Sequence, residues 1–326
     1  MNSSCITVAR LAMATRFEIA LHGASPEQLR AAAEEALDEV ERLEQRLSYF
    51  LEGSEIRRLN LQAAAGSVRV DAEVFQLLRR AKRLSEATQG GFDPTIAPLM
   101  RAWGFRGAAP AGPEEIAHAR SLLGMNLVEL DETRQAVRFA KPGVALDLGA
   151  LGKGYAVERA LLILQEAGIE HALIHGGTSS VHGLGRQPDG SPWKIALEAP
   201  SAPAATTQPP SPPRPWAVVP LQNRSLSVSA IWGRRSKPDG NARSHGHIIN
   251  PLTGAPESNA VLAAALSDSG ADVDALSTGL MVLGEAGLNH LPDRFPNAGF
   301  FLASQSDRDG TIQLAHHAFP GVLSPS

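Results

Sequence analysis

The most informative segment of the sequence reads Gly270-Ala271-Asp272-Val273-Asp274-Ala275-Leu276-Ser277-Thr278-Gly279-Leu280-Met281-Val282-Leu283-Gly284. It predicts a largely apolar helix on which Asp274 and Thr278, four residues apart, share one face. A carboxylate beside a hydroxyl at the edge of a core suits a hard cation such as Mg²⁺, which prefers oxygen ligands and shares them with substrate phosphates. The alternative is that Asp272 or Asp274 caps the helix and that the Thr278 hydroxyl bonds its own backbone.

A second segment reads Ala145-Leu146-Asp147-Leu148-Gly149-Ala150-Leu151-Gly152-Lys153-Gly154-Tyr155. It predicts an extended approach, a glycine-rich turn and then a helix that continues to about Ala167, with Gly168 placed to end it. Backbone N–H groups at that helix start, together with the charge of Lys153, would attract an anion such as a phosphate. The segment is not a Walker loop, because no Ser or Thr follows Lys153, and it does not fit the dinucleotide fingerprint. A plain tight connection is the alternative.

Two further segments carry aromatic, acidic and histidine side chains. In Gly91-Phe92-Asp93-Pro94-Thr95-Ile96-Ala97-Pro98-Leu99, two prolines rule out one continuous helix. The segment could clamp a flat ring or simply be a packed turn. Ser244-His245-Gly246-His247-Ile248-Ile249-Asn250-Pro251-Leu252-Thr253-Gly254 predicts a short apolar strand that ends in a proline turn. The chain has no HExxH motif and its only thiol is Cys5, which argues against a structural zinc site.

Together with three segments nearer the N-terminus, these segments resemble the ApbE-type FAD:protein FMN transferases. The three segments are Met13-Ala14-Thr15-Arg16-Phe17, Leu47-Ser48-Tyr49-Phe50 and Ser54-Glu55-Ile56-Arg57-Arg58-Leu59-Asn60. The resemblance runs from Met13 to Gly284 in the order of the family. It implies an Mg²⁺-dependent enzyme that splits the pyrophosphate of FAD, transfers FMN to a Thr or Ser hydroxyl of a target flavoprotein and releases AMP.

The resemblance also implies roles for individual positions. Asp274 and Thr278 match Mg²⁺ ligands, and Ala150 matches the position whose backbone carbonyl binds the same ion. His247 matches a histidine near the reacting phosphates, so His247 and Asp274 are the candidates for the general base that deprotonates the acceptor hydroxyl. The positions that match FAD contacts are Met13, Tyr49, Gly91, Phe92, Asp93, Asp147, Lys153, Gly176, Gly177 and Ile248.

Two positions depart from the family pattern. Thr178-Ser179-Ser180 follows the glycine pair where the family often has an Asp or a similar polar group, and Asn250 stands where Asp is common. Each departure removes a possible carboxylate, so we assign neither segment a metal role. The departures bear on the details of nucleotide binding more than on the reaction class.

Composition limits the remaining classes. A net charge of −4 over 326 residues gives no electrostatic basis for binding nucleic acid, and one cysteine excludes an internal disulfide. No segment is long and apolar enough to span a membrane. Met1 to Leu11 lacks a basic start and a long apolar run, so no secretory signal is predicted and we expect a cytoplasmic protein.

Helices and strands alternate without a strict βαβ repeat, which predicts an α+β fold with mixed or antiparallel sheets. Helices are predicted after the capping box that starts at Ser25 and from Asp71 onward. We expect one catalytic domain over residues 1–326, or two subdomains that build one site. A Pro/Ala-rich insertion at 200–215 should be disordered, and the basic loop 233–243 could gate the site. The predicted strands are 16–22, 172–175, 193–199, 216–221, 226–230, 261–267 and 299–303.

Two other function classes remain open at this point. An FAD pyrophosphatase would use the same metal and the same residues, with water as the acceptor in place of a protein hydroxyl. A non-catalytic flavin-binding protein is the other, although flavin storage needs neither the Asp274/Thr278 pair nor Lys153.

Overall fold

The structure is a computed structural model that describes residues 4–23, 25–105, 110–198, 215–231, 248–258, 260–306 and 310–323. Its strands are β1 (Ser4–Ala12), β2 (Thr15–Gly23), β3 (Val68–Arg69), β4 (Val128–Asp131), β5 (Ala136–Phe139), β6 (Ala172–Gly176), β7 (Ser180–Leu184), β8 (Trp193–Glu198), β9 (Pro215–Leu221), β10 (Arg224–Ala230), β11 (Ala260–Ser267), β12 (Gly299–Gln305) and β13 (Ile312–His317). Its helices are α1 (Pro26–Leu47), α2 (Glu55–Gln62), α3 (Ala72–Ala87), α4 (Ala97–Ala102), α5 (Pro113–Arg120), α6 (Gly152–Glu166), α7 (Gly270–Leu283) and α8 (Glu285–Arg294).

One large sheet runs in the order β1-β2-β6-β7-β10-β11-β12-β13. Two smaller sheets, β3-β5-β4 and β8-β9, complete the strands of the described ranges. Within those ranges every pair of neighbouring strands is antiparallel. The predicted α+β class with antiparallel sheets is therefore confirmed.

Local capping starts the helices where the sequence predicts them. Ser25 caps α1, because its hydroxyl accepts a hydrogen bond from the Gln28 N–H at 3.3 Å. Asp71 caps α3 by accepting from the Glu73 N–H at 2.8 Å. Gly168 follows the end of α6 with φ of +75°, a conformation that glycine adopts without a steric penalty.

The large sheet has helices on one face and the β8-β9 hairpin on part of the other. Side chains alternate along β11, so Ala263 and Ala265 pack with α7, whereas Leu262 and Leu266 pack with the hairpin. Burial on both faces accounts for the continuous apolar run of this strand. A third cluster joins α1, α3 and α6 to β2 and β6.

The Pro/Ala-rich segment connects two neighbouring strands. In the antiparallel pair β8-β9, Glu198 lies opposite Pro215, so both ends of the segment sit at one end of the hairpin. Residues 199–214 and the basic loop 233–243 lie outside the described residues, and the predictions made for them stay predictions. No helix of the described ranges has both the length and the hydropathy that crossing a bilayer requires.

His182 on β7 makes stability depend on pH. Burial lowers its pKa from 6.5 to about 4, although Glu158 and Asp268 act in the opposite direction. Between those two pH values the unfolded chain binds a proton that the folded chain does not, so stability should fall as the pH drops from 6.5 to 4. The contribution is up to about 3 kcal/mol, and this group should cause no further loss below pH 4. Urea unfolding across this range should show a steeper loss for the wild type than for His182→Gln, and parallel curves would contradict the assignment.

Candidate active site

Helices α6 and α7 each place a carboxylate at the other's N-terminus. Asp274 Oδ2 on α7 accepts a hydrogen bond from the Gly154 N–H of α6 at 3.0 Å. Glu158 Oε2 on α6 accepts from the Ala271 N–H of α7 at 3.2 Å. Helix N-termini favour negative charge, so both contacts are stabilising. The anion that the sequence predicts at the start of α6 is thus, in part, the carboxylate of Asp274.

These two hydrogen bonds between α6 and α7 require the two helix backbones to lie close together. A Cβ on Gly154 would overlap the Gly270 carbonyl and lie 2.7 Å from Asp274 Cβ. A Cβ on Gly270 would lie 2.5 Å from the Gly154 carbonyl oxygen. Two glycines therefore bring α6 and α7 to the distance at which Asp274 reaches the start of α6.

Arg80 on α3 ties the starts of both helices together. It donates to both oxygens of Glu158, at 2.7 and 3.0 Å, to Asp272 at 2.7 Å and to the Ser269 hydroxyl. Burial alone would raise the pKa of Glu158, but the hydrogen bond and charge of Arg80, together with the bonds from Ala271 and Ser269, hold the pKa of that carboxyl below its usual value. Ser269 is the N-cap of α7 and Asp272 pairs with Arg80, so neither predicted aspartate is the N-cap residue.

Asp274 is 4% exposed and is held by hydroxyls as well as by the backbone. Its Oδ1 accepts from the hydroxyls of Ser180 at 3.2 Å and Ser227 at 3.0 Å. Lys153 Nζ lies 3.9 Å from Oδ2 and donates to the Gly149 carbonyl at 3.1 Å. The acid is therefore fixed in orientation and has a cation beside it.

The Thr278 hydroxyl bonds its own backbone, and its role as a metal ligand stays a prediction. Its hydroxyl lies 3.2 Å from the Asp274 carbonyl, as in a backbone hydrogen bond, and 3.3 Å from the Ser229 hydroxyl. Thr278 nevertheless lines the same cavity as Asp274.

The cavity has a volume of about 1130 Å³, larger than a typical small-molecule pocket of roughly 300–1,000 Å³. It brings together residues that lie far apart in the chain. The predicted site residues that line it are Met13, Tyr49, Gly91, Phe92, Asp93, Asp147, Ala150, Lys153, Ile248, Asp274 and Thr278.

Gly176 and Gly177 do not line this cavity. A Cβ on Gly176 would lie 3.0 Å from Val157 and 3.1 Å from Phe17, so this glycine allows β6 to pack closely against its neighbours. Gly177 has φ of +70° and borders a smaller cleft of about 290 Å³ that shares Thr15 with the main cavity. Packing explains both glycines in this structure, and the FAD contact stays a prediction.

Met13 lies in a strained turn at the cavity wall. Met13 and Ala14 join β1 to β2 with φ of 51° and 56°, a left-handed conformation that costs a non-glycine residue about 1 kcal/mol or more. Tyr49 also lines the cavity and packs edge-on against Phe50, which is 59% exposed. The aromatic side chains thus offer apolar surface at the cavity, as a flat ring would require.

The other predicted acids shape loops at the wall. Asp93 Oδ1 accepts from the N–H and the hydroxyl of Thr95, at 2.8 and 2.6 Å, and burial raises the pKa of Asp93 despite these bonds. Asp147 Oδ1 accepts from the Gly149 N–H at 2.8 Å and so forms the glycine-rich turn. Phe92 is 1% exposed and belongs to the core beside α3, so packing accounts for its burial.

The histidine-containing segment is described only from Ile248 onward, and His247 lies outside the described residues. The predicted strand is wrong for the described part, because only Ile249 forms a bridge there, with Pro256. Asn250 begins the turn that follows Ile249. Its side-chain oxygen accepts a hydrogen bond from the Leu252 N–H at 2.9 Å, and its amide NH₂ donates to the Glu257 carboxylate at 3.0 Å. An Asp at this position would place two carboxylates together, which explains why an amide suits this chain.

The serines around Asp274 were not predicted as site residues. Ser225, Ser227 and Ser229 alternate along β10 and therefore share one sheet face, which α7 covers. This alternation is visible in the sequence. What the sequence cannot supply is the partner helix, since Ser227 and Asp274 are 47 positions apart.

A hard cation fits the donors at this end of the cavity. Asp274 and Thr278 both present oxygen, and Ala150 lies at the same wall. Mg²⁺ is commonly held by one or two carboxylates and completed by water and phosphate oxygens. Within the described ranges no three His, Cys, Asp or Glu side chains converge.

A model of the ApbE family matches residues 13–300 of the chain. The chain belongs to the ApbE family. Two relatives are named FAD:protein FMN transferase. One, from Vibrio cholerae, is 30% identical over 252 residues, which cover 76% of this chain and 71% of the relative. The other, from Haemophilus influenzae, is 26% identical over 301 residues, covering 89% and 84%.

Solved structures of the ApbE family share the fold. The ApbE protein of Thermotoga maritima superposes with a TM-score of 0.82 at 24% identity, covering 95% of this chain and 96% of that one. The apo flavinyl transferase ApbE of Pseudomonas stutzeri gives 0.78 at 26% identity, covering 97% and 95%. The similarity spans nearly the whole length of each chain.

Proposed function

We propose that this protein is an FAD:protein FMN transferase, which cleaves the FAD pyrophosphate, attaches FMN to a Thr or Ser hydroxyl of a target flavoprotein and releases AMP. The observation that carries the proposal is the convergence of Asp274, Thr278 and Lys153 at one wall of a cavity that also holds Met13 and Tyr49. Oxygen ligands and a cation suit a pyrophosphate, and apolar and aromatic side chains suit a flavin ring.

In this proposal Asp274, Thr278 and the Ala150 carbonyl would hold Mg²⁺, which would supply neutralising charge for the pyrophosphate. Lys153 adds a second positive charge at the same wall. Phosphoryl-type transfer depends mainly on positioning and charge neutralisation, so the reaction asks for little covalent chemistry from the protein's own side chains.

The remaining requirement is a base for the acceptor hydroxyl. Asp274 already accepts three hydrogen bonds, from Gly154, Ser180 and Ser227, which favours an orienting and metal-binding role for it. We therefore propose His247 as the base, since it is the other candidate from the family motif and directly precedes the cavity-lining Ile248 in the sequence.

The partners follow from the reaction: FAD as the nucleotide and a flavoprotein that presents an acceptor Thr or Ser. We also propose a single catalytic domain, because the cavity takes residues from Met13 to Thr278. The cytoplasmic location stays a prediction, which detection of the native protein in separated cell fractions would test.

Mass spectrometry tests the reaction. The protein is incubated with FAD, Mg²⁺ and a candidate flavoprotein, and all products are weighed. A mass gain of one FMN on the acceptor, with AMP released, is the expected result. Free FMN and AMP without labelled acceptor would indicate a pyrophosphatase, and unchanged FAD would indicate binding alone.

Lys153→Met should lower FAD affinity or turnover by about tenfold or more, because a charge-assisted contact contributes about 1.5–3 kcal/mol. The substitution keeps the aliphatic stem and the helix propensity, so the melting temperature should change little. FAD titration, turnover and a melting curve measure the three quantities. Lys194→Met is the matched control, since Lys194 is exposed and does not line the cavity. A Lys153→Met protein that melts early yet binds and reacts normally would show a structural role instead.

A further inference from the structure

Ser225, Ser227 and Ser229 of β10 lie beneath α7. Ser227 is 0% exposed and Ser225 is 1% exposed. Buried hydroxyls need hydrogen-bond partners. Ser227 and Ser229 find theirs on α7, in Asp274, Ser277 and Thr278. Ser225 instead bonds His182 Nδ1 at 2.8 Å.

Hydrogen bonds connect these hydroxyls to Asp274. A carboxylate can only accept, so Ser227 donates to Asp274 Oδ1 at 3.0 Å. Ser227 has then used its single proton, so its oxygen can only accept from the Ser277 hydroxyl 3.1 Å away, which also lies 3.1 Å from the Asp274 carbonyl. Ser229 lies 2.9 Å from Ser277, and either hydroxyl of this pair can donate. The hydroxyls of Ser229, Ser277 and Ser227 therefore form one network that ends on Asp274.

The same contacts decide how Thr278 faces the cavity. One partner of the Thr278 proton is the Ser229 hydroxyl at 3.3 Å. The other partner of the Thr278 proton is the Asp274 carbonyl at 3.2 Å. In either case the proton points into the protein, and oxygen lone pairs remain for the cavity.

Among the described residues, the same donors leave Asp274 with one open acceptor site. A carboxylate offers about four lone-pair sites. Ser180 and Ser227 bond to Oδ1, and the Gly154 N–H bonds to Oδ2. The remaining site is on Oδ2, the oxygen that faces Lys153.

We propose that Ser227, Ser229 and Ser277 are positioning residues for a divalent cation: their hydrogen bonds hold Asp274 and Thr278 so that both present acceptor lone pairs to the cavity. The inference rests on the proposed function, which places the cation there. It assigns these serines an effect on cation affinity that acts through Asp274 and Thr278.

Mn²⁺ binding by the purified full chain tests the inference without relying on turnover. Free Mn²⁺ is measured by electron paramagnetic resonance during titration. Ser227→Ala should bind Mn²⁺ about tenfold more weakly, as is typical when a group that orients a metal ligand is removed. Ser225→Ala is the matched control, because Ser225 is equally buried on the same strand face but bonds His182. Its Mn²⁺ affinity should stay within about twofold of wild type.

Ser229→Ala provides a second variant at a half-buried position, and it should weaken Mn²⁺ binding by several-fold with an unchanged melting curve. Wild-type affinity in both Ser227→Ala and Ser229→Ala would overturn the inference, as would an equal loss in Ser225→Ala. A wild-type protein that binds no Mn²⁺ would overturn it too. FMN transfer is measured in parallel: a wild type that binds Mn²⁺ and fails to transfer contradicts only the proposed function, and the serine effect on Mn²⁺ is judged separately.

Discussion

Asp274→Asn should lower FAD turnover by at least about 10³-fold, because losing a metal-binding charge removes several kcal/mol of transition-state stabilisation. Asn keeps an oxygen that can accept from Ser180 and Ser227, so the substitution disturbs the fold less than Ala would. FAD affinity should largely remain, because Met13 and Tyr49 stay in place. Turnover with excess Mg²⁺ and equilibrium binding of FAD measure the two effects.

Asp272→Asn is the control for this experiment. Asp272 lies two residues earlier on the same helix and pairs with Arg80 at 2.7 Å, and it does not line the cavity. We expect this variant to turn over FAD normally and to lose at most a little stability. A near wild-type rate in Asp274→Asn would show that the cation site has been assigned to the wrong residue.

Gly154→Ala should destabilise the protein by about 3 kcal/mol or more, at the upper end of the range for overpacked cores. The added methyl group meets the Gly270 carbonyl and Asp274 Cβ, and no side-chain rotation can relieve a clash with backbone. Moving α6 away from α7 also breaks the bond from the Gly154 N–H to Asp274. Chemical unfolding followed by circular dichroism gives the stability, and Mn²⁺ titration of the folded fraction should show weaker binding.

Gly152→Ala tests whether the effect is local to the helix contact. Gly152 is in the same first turn of α6, and a Cβ there would meet nothing within 4 Å. Alanine also favours a helix over glycine by about 1 kcal/mol, so Gly152→Ala should be neutral or stabilising. Equal unfolding free energies for Gly154→Ala and Gly152→Ala would contradict the close approach of α6 and α7.

Elements whose signals are local could be predicted well. The starts of α1 at Ser25 and α3 at Asp71 follow from a side chain that bonds a backbone N–H two or three residues later. The strands β6, β10, β11 and β12 follow from alternating or continuous apolar runs. The segment around Ile248 was predicted less well, because its turn depends on a bond between Asn250 and Glu257 rather than on hydropathy.

The residues of the candidate site could also be predicted only in part. Family motifs named Asp274, Thr278 and Lys153, and the structure brings all three to one cavity wall. Family motifs also named Gly176, which packs against Val157 and Phe17 and does not line this cavity, so its FAD contact stays a prediction. A motif marks a position where only glycine fits, but it cannot say whether a ligand or a neighbouring helix occupies the space.

Local signals in the sequence predicted the α+β class, the starts of α1 and α3, and strands such as β6, β10, β11 and β12, because caps and periodicity act over a few residues. Which groups surround Asp274 depends on tertiary packing. Its partners Gly154, Ser180 and Ser227 lie 120, 94 and 47 positions away, on one helix and two strands. Such contacts form when the buried faces of α6, α7 and the sheet pack together, and nothing in the local pattern of a segment encodes which segment will cover it.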